Sequence, residues 1–155
     1  MIRPARPEEA PLLAALVERA YAPWVPVVGR RPGPMDDDYA ARIAAGEAWV
    51  LEEAGALHGL LVLEPHPGYL LLDNIAIDPA RQGTGAGRLL LDHAEAEAAR
   101  RGLPEIRLYT HELMARNIAV YVQRGYAETG RAVQDGFPRV FMAKRISGSA
   151  ATTPR

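Results

Sequence analysis

The chain has no cysteine, a single lysine and only two serines among 155 residues. Without cysteine there is no disulfide and no thiolate metal site. The two serines, Ser147 and Ser149, stand in a short low-complexity tail, which argues against a Ser-His-Asp enzyme, and the missing thiol argues against a Cys-His one. The four histidines show no H-x-x-x-H spacing, so no metal is expected. No apolar run approaches the roughly 20 residues of a membrane span. The start Met1-Ile2-Arg3-Pro4 has no apolar signal-peptide core, so the cytoplasm is the expected location. A formal charge of −1 argues against bulk binding to nucleic acid or an anionic membrane.

What is present is concentrated in one stretch, Asp73 to Leu91. A short apolar strand ends at Asp78-Pro79, a basic glycine-rich turn follows, and a helix opens with Leu89-Leu90-Leu91. Strand, glycine turn and helix N-terminus together bind phosphate, because the first N–H groups of a helix lack acceptors and its dipole is positive there. Gly83, Gly85 and Gly87 let backbone approach an anion closely. Two common phosphate motifs fail. A Walker A loop needs Lys-Ser or Lys-Thr, and the only lysine is Lys144. A G-x-G-x-x-G fingerprint would need glycine where Arg88 or Leu90 stands.

The pattern that fits is Gln82-x-x-Gly85-x-Gly87. It resembles the Q/R-x-x-G-x-G/A pyrophosphate loop of the GNAT superfamily of N-acetyltransferases. Asn74-Ile75-Ala76-Ile77-x-Pro79 looks like that family's fourth strand, and Tyr121-Val122-Gln123-Arg124-Gly125-Tyr126 looks like its late YxxxGF/Y signature. The resemblance covers about residues 1–146 and is sharpest at 74–91 and 121–126. It implies a direct transfer of acetyl from acetyl-CoA to a primary amine of a small molecule or peptide through a ternary complex. A non-catalytic acyl-CoA sensor is the alternative.

The segment pattern supports an α/β fold. Strands are expected at Ile2–Arg6, Ala48–Glu53, Leu57–Leu63, Tyr69–Ile77, Ile106–Thr110, Tyr126–Arg131 and Arg139–Arg145. Helices are expected from Pro7, with Leu12, Leu13, Leu16, Val17 and Ala20 on one face, from the cap Asp36–Asp38 to about Ala45, from the glycine turn to about Arg101, and from Ala115 to Arg124. Ala22–Pro34 reads as irregular, and Pro65-His66-Pro67-Gly68 as a turn. This order predicts a GNAT-like three-layer mixed sheet of about seven strands with helices on both faces. It forms a single domain over 1–146, with 147–155 a disordered tail. Edge strands could pair in a homodimer.

The expected donor site uses backbone from Gln82, Gly83, Thr84, Gly85, Ala86, Gly87 and Arg88, with charge from Arg81 and Arg88. The resemblance adds that Ile75, Ala76 and Ile77 pair with the pantetheine arm, with an N–H near Ala76 or Ile77 facing the thioester oxygen. It also places Tyr121 beside the thioester sulfur, where a phenol assists departure of the thiolate. Asn117, one helical turn before Tyr121, is a further ligand candidate, because Met114 stands where the family often has asparagine. The general base is open among Glu64, His66 and Asp73, with His111 and Glu112 as further carboxylate and imidazole candidates, or ordered water. Trp24 and Met35 are expected as apolar walls of the acceptor pocket, with the turn Asp135-Gly136-Phe137 nearby. Arg30 and Arg31 would hold an acceptor carboxylate.

Overall fold

The computed structural model describes residues 1–146; the expected tail at 147–155 lies outside the described residues. The strands are β1 (Ile2–Pro4), β2 (Ala48–Glu53), β3 (Ala56–His66), β4 (Tyr69–Ile77), β5 (Glu105–His111), β6 (Ala127–Gln134) and β7 (Phe137–Arg145). The helices are α1 (Ala10–Tyr21), α2 (Val25–Val28), α3 (Tyr39–Ala44), α4 (Ala86–Arg100) and α5 (Ala115–Gln123). The sheet is mixed, in the order β1-β2-β3-β4-β5-β7-β6. β4 and β5 are parallel, while β1-β2, β2-β3, β5-β7 and β6-β7 are antiparallel. The described residues form two compact units: Met1–Glu64 with Asp73–Ala94, and Pro65–Leu72 with the described residues from Glu95 onward.

In the first unit, helices pack on both sides of the sheet. Leu13, Leu16 and Val17 of α1 and Ile43 of α3 bury against Val50 of β2, Leu60 and Val62 of β3 and Ala76 of β4. Each fully buried Leu or Val contributes about 1.5–3 kcal/mol relative to exposure. From the other side comes α4, whose Leu90 lies against Gly59, where a Cβ would stand 2.9 Å from Leu90 Cδ1. The stripe Ala86, Leu90, Ala94 and Ala98 is buried as its spacing requires. Leu12 departs from the expected face and is 56% exposed.

The proline-rich stretch is more ordered than its composition suggests. It forms a 3-10 turn at Ala22–Trp24, the four-residue α2, and a second 3-10 turn at Gly33–Asp36, each with proline at its first or second position. Proline there has its φ preset and loses no hydrogen bond, because those N–H groups have no partner in any helix. Asp38 caps α3 by accepting the Ala41 N–H at 3.1 Å. β3 continues through Pro65 and His66, and only Pro67-Gly68 remains as the turn.

In the second unit, β5 and β7 pair over seven residues, from Glu105↔Arg145 to His111↔Arg139. Ile106, Leu108, Val140 and Met142 are buried on one face of that pair. β6 is exposed along its whole length.

Candidate active site

Asp78 closes β4 and organises the glycine turn. Its Oδ1 accepts the Ala80 N–H at 3.0 Å and its Oδ2 the Arg19 guanidinium at 2.9 Å. The backbone bond from Ala80, with Arg19 behind it, holds the carboxyl below the usual aspartate range. The turn continues through Pro79–Arg81, and the Thr84 hydroxyl donates back to Arg81 O at 2.5 Å. Gly83 and Gly85 have φ of +81° and +92°, the left-handed region that glycine enters without a steric penalty. Leu89 N–H donates to Gly85 O at 3.1 Å, so α4 begins at Ala86 and its first-turn N–H groups have no acceptor within the helix. A Cβ at Gly83 or Gly85 would meet nothing within 4 Å; these glycines are there for backbone conformation, and the space before them is open. At Gly87 a Cβ would stand 3.0 Å from Ile77 Cδ1, so helix start and strand end approach closely. This turn fits the pyrophosphate of acetyl-CoA: open space, glycines in the required conformation and unsatisfied N–H groups at a 15-residue helix. Gln82, Thr84 and Arg88 are exposed around it. Arg81 is held by Glu53 at 3.1 Å and by His58 Nε2 at 3.4 Å, which balances part of its charge. On β4, Ala76 is buried while Ile75 and Ile77 are half-buried.

Glu64 and Asp73 meet on one guanidinium. Arg42 donates to Glu64 Oε2 at 2.7 Å, Asp73 Oδ2 at 2.9 Å, Glu47 Oε1 at 2.8 Å and Asp37 Oδ2 at 2.9 Å. Burial works against the Arg42 charge, but the acids prevail and hold it well above the ordinary arginine range. Four carboxylates on one cation leave the group net negative.

Beside it runs a buried polar chain. Asn74, 3% exposed, donates from Nδ2 to the Tyr39 hydroxyl at 3.1 Å and accepts from the Tyr21 hydroxyl at 2.7 Å. Tyr39 in turn donates to Pro34 O at 2.5 Å. Burial, with the Asp37 charge next, pushes the Tyr39 hydroxyl well above its ordinary value, so it stays protonated. Tyr21, Tyr39 and Arg42 are not among the residues singled out from sequence, and Asn74 enters there only as part of the fourth-strand motif, not as a hydrogen-bonding side chain. Asn74 did carry a signal: it is polar at an inward position of a strand whose other inward residues are Leu70, Leu72 and Ala76.

The expected acceptor residues are spread out. Trp24 is half-buried at the end of the first 3-10 turn, and Met35 packs on the core of the first unit. Arg30 is exposed. Arg31 is engaged within the protein by Glu18 at 2.5 Å and Asp36 at 3.1 Å.

In the second unit, Tyr121 is 7% exposed and stacks edge-on to Tyr126 with ring centroids 5.8 Å apart. Desolvation alone pushes its hydroxyl up to about 12. Among the described residues that hydroxyl has no hydrogen-bond partner, whereas Tyr126 donates to Glu95 at 3.2 Å. Asn117 turns its amide to the Met114 sulfur at 3.7 Å. His111 accepts the Leu113 N–H on Nδ1 at 3.1 Å. The turn Asp135-Gly136 is left-handed at both residues, with φ of +51° and +81°, as a tight two-residue hairpin requires. Among the described residues no group of three or more histidine, aspartate or glutamate side chains is placed to hold a metal ion, and no helix is long and apolar enough to cross a membrane.

A mixed sheet with a glycine turn between its fourth strand and a long helix is an arrangement that can hold a phosphate group at the helix start. The chain belongs to the acetyltransferase (GNAT) family, whose family model matches residues 13–126. Over 73 residues it is 36% identical to a mycothiol acetyltransferase of Jonesia denitrificans, covering 47% of this chain and 23% of that protein. Over 72 residues it is 32% identical to an IAA acetyltransferase of Azospirillum brasilense, covering 46% of this chain and 47% of that protein. The matches thus span less than half of either relative. The fold is similar to that of the ribosomal-protein-S18-alanine N-acetyltransferase of Escherichia coli, with TM-score 0.74 and 23% identity over 94% of this chain and 93% of that one. It is also similar to the PaiA N-acetyltransferase of Thermoplasma acidophilum, solved in complex with coenzyme A, with TM-score 0.75 and 18% identity over 94% and 98%.

Proposed function

We propose that this chain, as a single domain over residues 1–146, transfers an acetyl group from acetyl-CoA directly to a primary amine. The observation that carries the reading is the turn Gln82–Gly87, with left-handed Gly83 and Gly85 delivering the open N–H groups of α4. Family membership and the two curated relatives, both acetyltransferases, support it. Acetyl-CoA, when bound, supplies an activated acyl group as a thioester. The N–H groups of Gly83 to Arg88 hold the pyrophosphate, with Arg88 and Arg81 adding positive charge. Ile75, Ala76 and Ile77 align the pantetheine arm and offer an N–H to the thioester oxygen.

Tyr121 is assigned the proton donor to the departing thiolate. A hydroxyl held at about 12 stays protonated across the working pH range, so it donates and does not act as a base. Among the described residues it has no hydrogen-bond partner, which leaves that proton available. Asn117 is assigned a supporting contact to the same ligand. The negative group around Arg42 draws in a cationic amine, and Glu64 or Asp73, directly or through water, takes its proton. Trp24, Arg30 and Met35 are assigned to the acceptor side. The sensor alternative has one observation in its favour: both carboxylates are already held by Arg42.

Calorimetric titration with acetyl-CoA, coenzyme A, ATP and NAD tests the donor site, and turnover over a panel of amines tests the chemistry. Tight acetyl-CoA binding with acetylated product supports the transferase. Tight binding with complete inertness favours the sensor. Tighter binding of ATP or NAD than of coenzyme A would overturn both readings.

A further inference from the structure

The second unit carries a surface that the donor chemistry leaves unused. One face of the β5-β7 pair is covered by helix: Lys144 Nζ bonds Glu95 of α4 at 2.8 Å, and Thr110 reaches Met114 at the start of α5. The alternate residues lie on the opposite face as the cross-strand pairs Arg107↔Ala143, Tyr109↔Phe141 and His111↔Arg139. With Tyr69 and Leu71 of β4 and Thr129 of β6, residues of this face line a groove of about 500 Å³. That volume lies within the range of small-molecule sites.

Its two arginines are in different states. Arg107 lies over the Tyr69 ring at 3.9 Å and is paired with Glu105 at 2.7 Å. Arg139 lies over Tyr109 at 4.3 Å and near Phe137 at 5.6 Å. Its Nε is buried and donates to nothing, and among the described residues no carboxylate pairs with it. The buried Nε–H without an acceptor costs free energy, and the aromatic rings beneath the guanidinium offset only part of the charge that an anion would meet. The residue as a whole is only half-buried, so it can be reached from outside.

His111 stands directly across from it. Because Nδ1 accepts the Leu113 N–H, the neutral ring carries its proton on Nε2, a second donor on the same face. Burial first, and then the Arg139 charge, keep that ring below the ordinary histidine range against the opposing pull of Glu112. Its ring packs edge-on to Phe137 with centroids 6.2 Å apart. Tyr109 and Phe141, whose centroids are 6.3 Å apart, join this donor pair to the groove.

We propose that Arg139 and His111 form a carboxylate-binding subsite for the acceptor, and that the aromatic groove beside them takes a flat apolar body. The acceptor class is then an amine that also carries a carboxylate and an aromatic group, as an aromatic amino acid does. The identity of the ligand as acceptor rests on the acyl-transfer reading above; the subsite itself does not. A carboxylate receives charge-assisted bonds from the guanidinium end and one from the imidazole, while its body stacks on tyrosine and phenylalanine faces.

The test is titration of the full chain, without acetyl-CoA, with phenylalanine and tryptophan and with their decarboxylated forms, phenethylamine and tryptamine. The amino acids should bind at least about tenfold more tightly than the amines. Arg139→Gln should erase that preference, Arg139→Lys should restore part of it, and His111→Asn should reduce it about threefold. Thermal unfolding of each variant checks that it is folded. Equal binding of amino acid and amine, a preference that survives Arg139→Gln, or no binding of any of the four compounds would overturn the subsite. Acetylation assays separate the two readings. Acetylation of all four amines without preference keeps the transferase and removes the subsite. A carboxylate preference without acetylation keeps the subsite and removes the transferase.

Discussion

In the two sites proposed above, the first unit would meet negative charge with backbone and the second with side chains. In the turn 82–87 the donors are N–H groups, which carry no charge to titrate and stay where glycine conformation puts them. On the open face of β5 and β7 the donors are Arg139 and His111, held by aromatic rings and set by strand register. A backbone site suits a ligand that does not change, such as the pyrophosphate of a common donor. A side-chain site can be altered by one substitution, which suits an acceptor that differs between relatives.

The sharpest way to break this comparison is Gly85→Glu. The left-handed backbone at φ +92° disfavours a side chain, and the new carboxylate faces an anion. Acetyl-CoA affinity should fall by about a thousandfold, and calorimetry measures it. Unchanged affinity would show that the turn is only structural. Next is Tyr121→Phe, which should lower kcat by about 100-fold with KM for acetyl-CoA nearly unchanged. Equal turnover would remove Tyr121 from the mechanism.

Arg42→Met is a stability test. It leaves Asp37, Glu47, Glu64 and Asp73 facing each other without their shared cation. Urea unfolding should show a loss of about 3 kcal/mol, and wild-type stability would mean that solvent already screens the cluster. The smallest effect is expected at Glu9, which accepts Arg3 at 2.7 and 3.0 Å and the Arg6 N–H at 2.7 Å. The Arg3 bond lowers its pKa to about 2 from 4.5. A carboxyl with a depressed folded pKa stabilises above its unfolded pKa and loses that contribution as pH falls, here between about 4.5 and 2. Glu9→Gln should reduce the stability lost across that pH window by about 2 kcal/mol. A slope unchanged in the variant would assign the acid sensitivity to other carboxylates, of which Glu97, lowered to about 2 by Arg100, is one.

Much of the fold was readable because its determinants are local. The strand pattern around Ala48–Glu53 and Tyr69–Ile77, the buried stripe of α4 and the cap at Asp38 each depend on residues a few positions apart. The proline-rich stretch 22–34 was read as irregular because proline marks both a broken helix and the first residue of a new one. Leu12 was placed on the inner face by spacing alone, but the stripe that packs is narrower.

By itself, the sequence determined the glycine turn, its place between strand and helix, and membership of the acetyltransferase family, because those features are contiguous and set by backbone sterics. Tertiary structure decided which charges are balanced. Arg31 is taken by Glu18 and Asp36, Arg42 gathers acids from positions 37 to 73, and Arg139 has aromatic neighbours and, among the described residues, no carboxylate. Coulomb energy depends on distance in space, and the fold brings to within hydrogen-bond reach residues that the chain separates by dozens of positions.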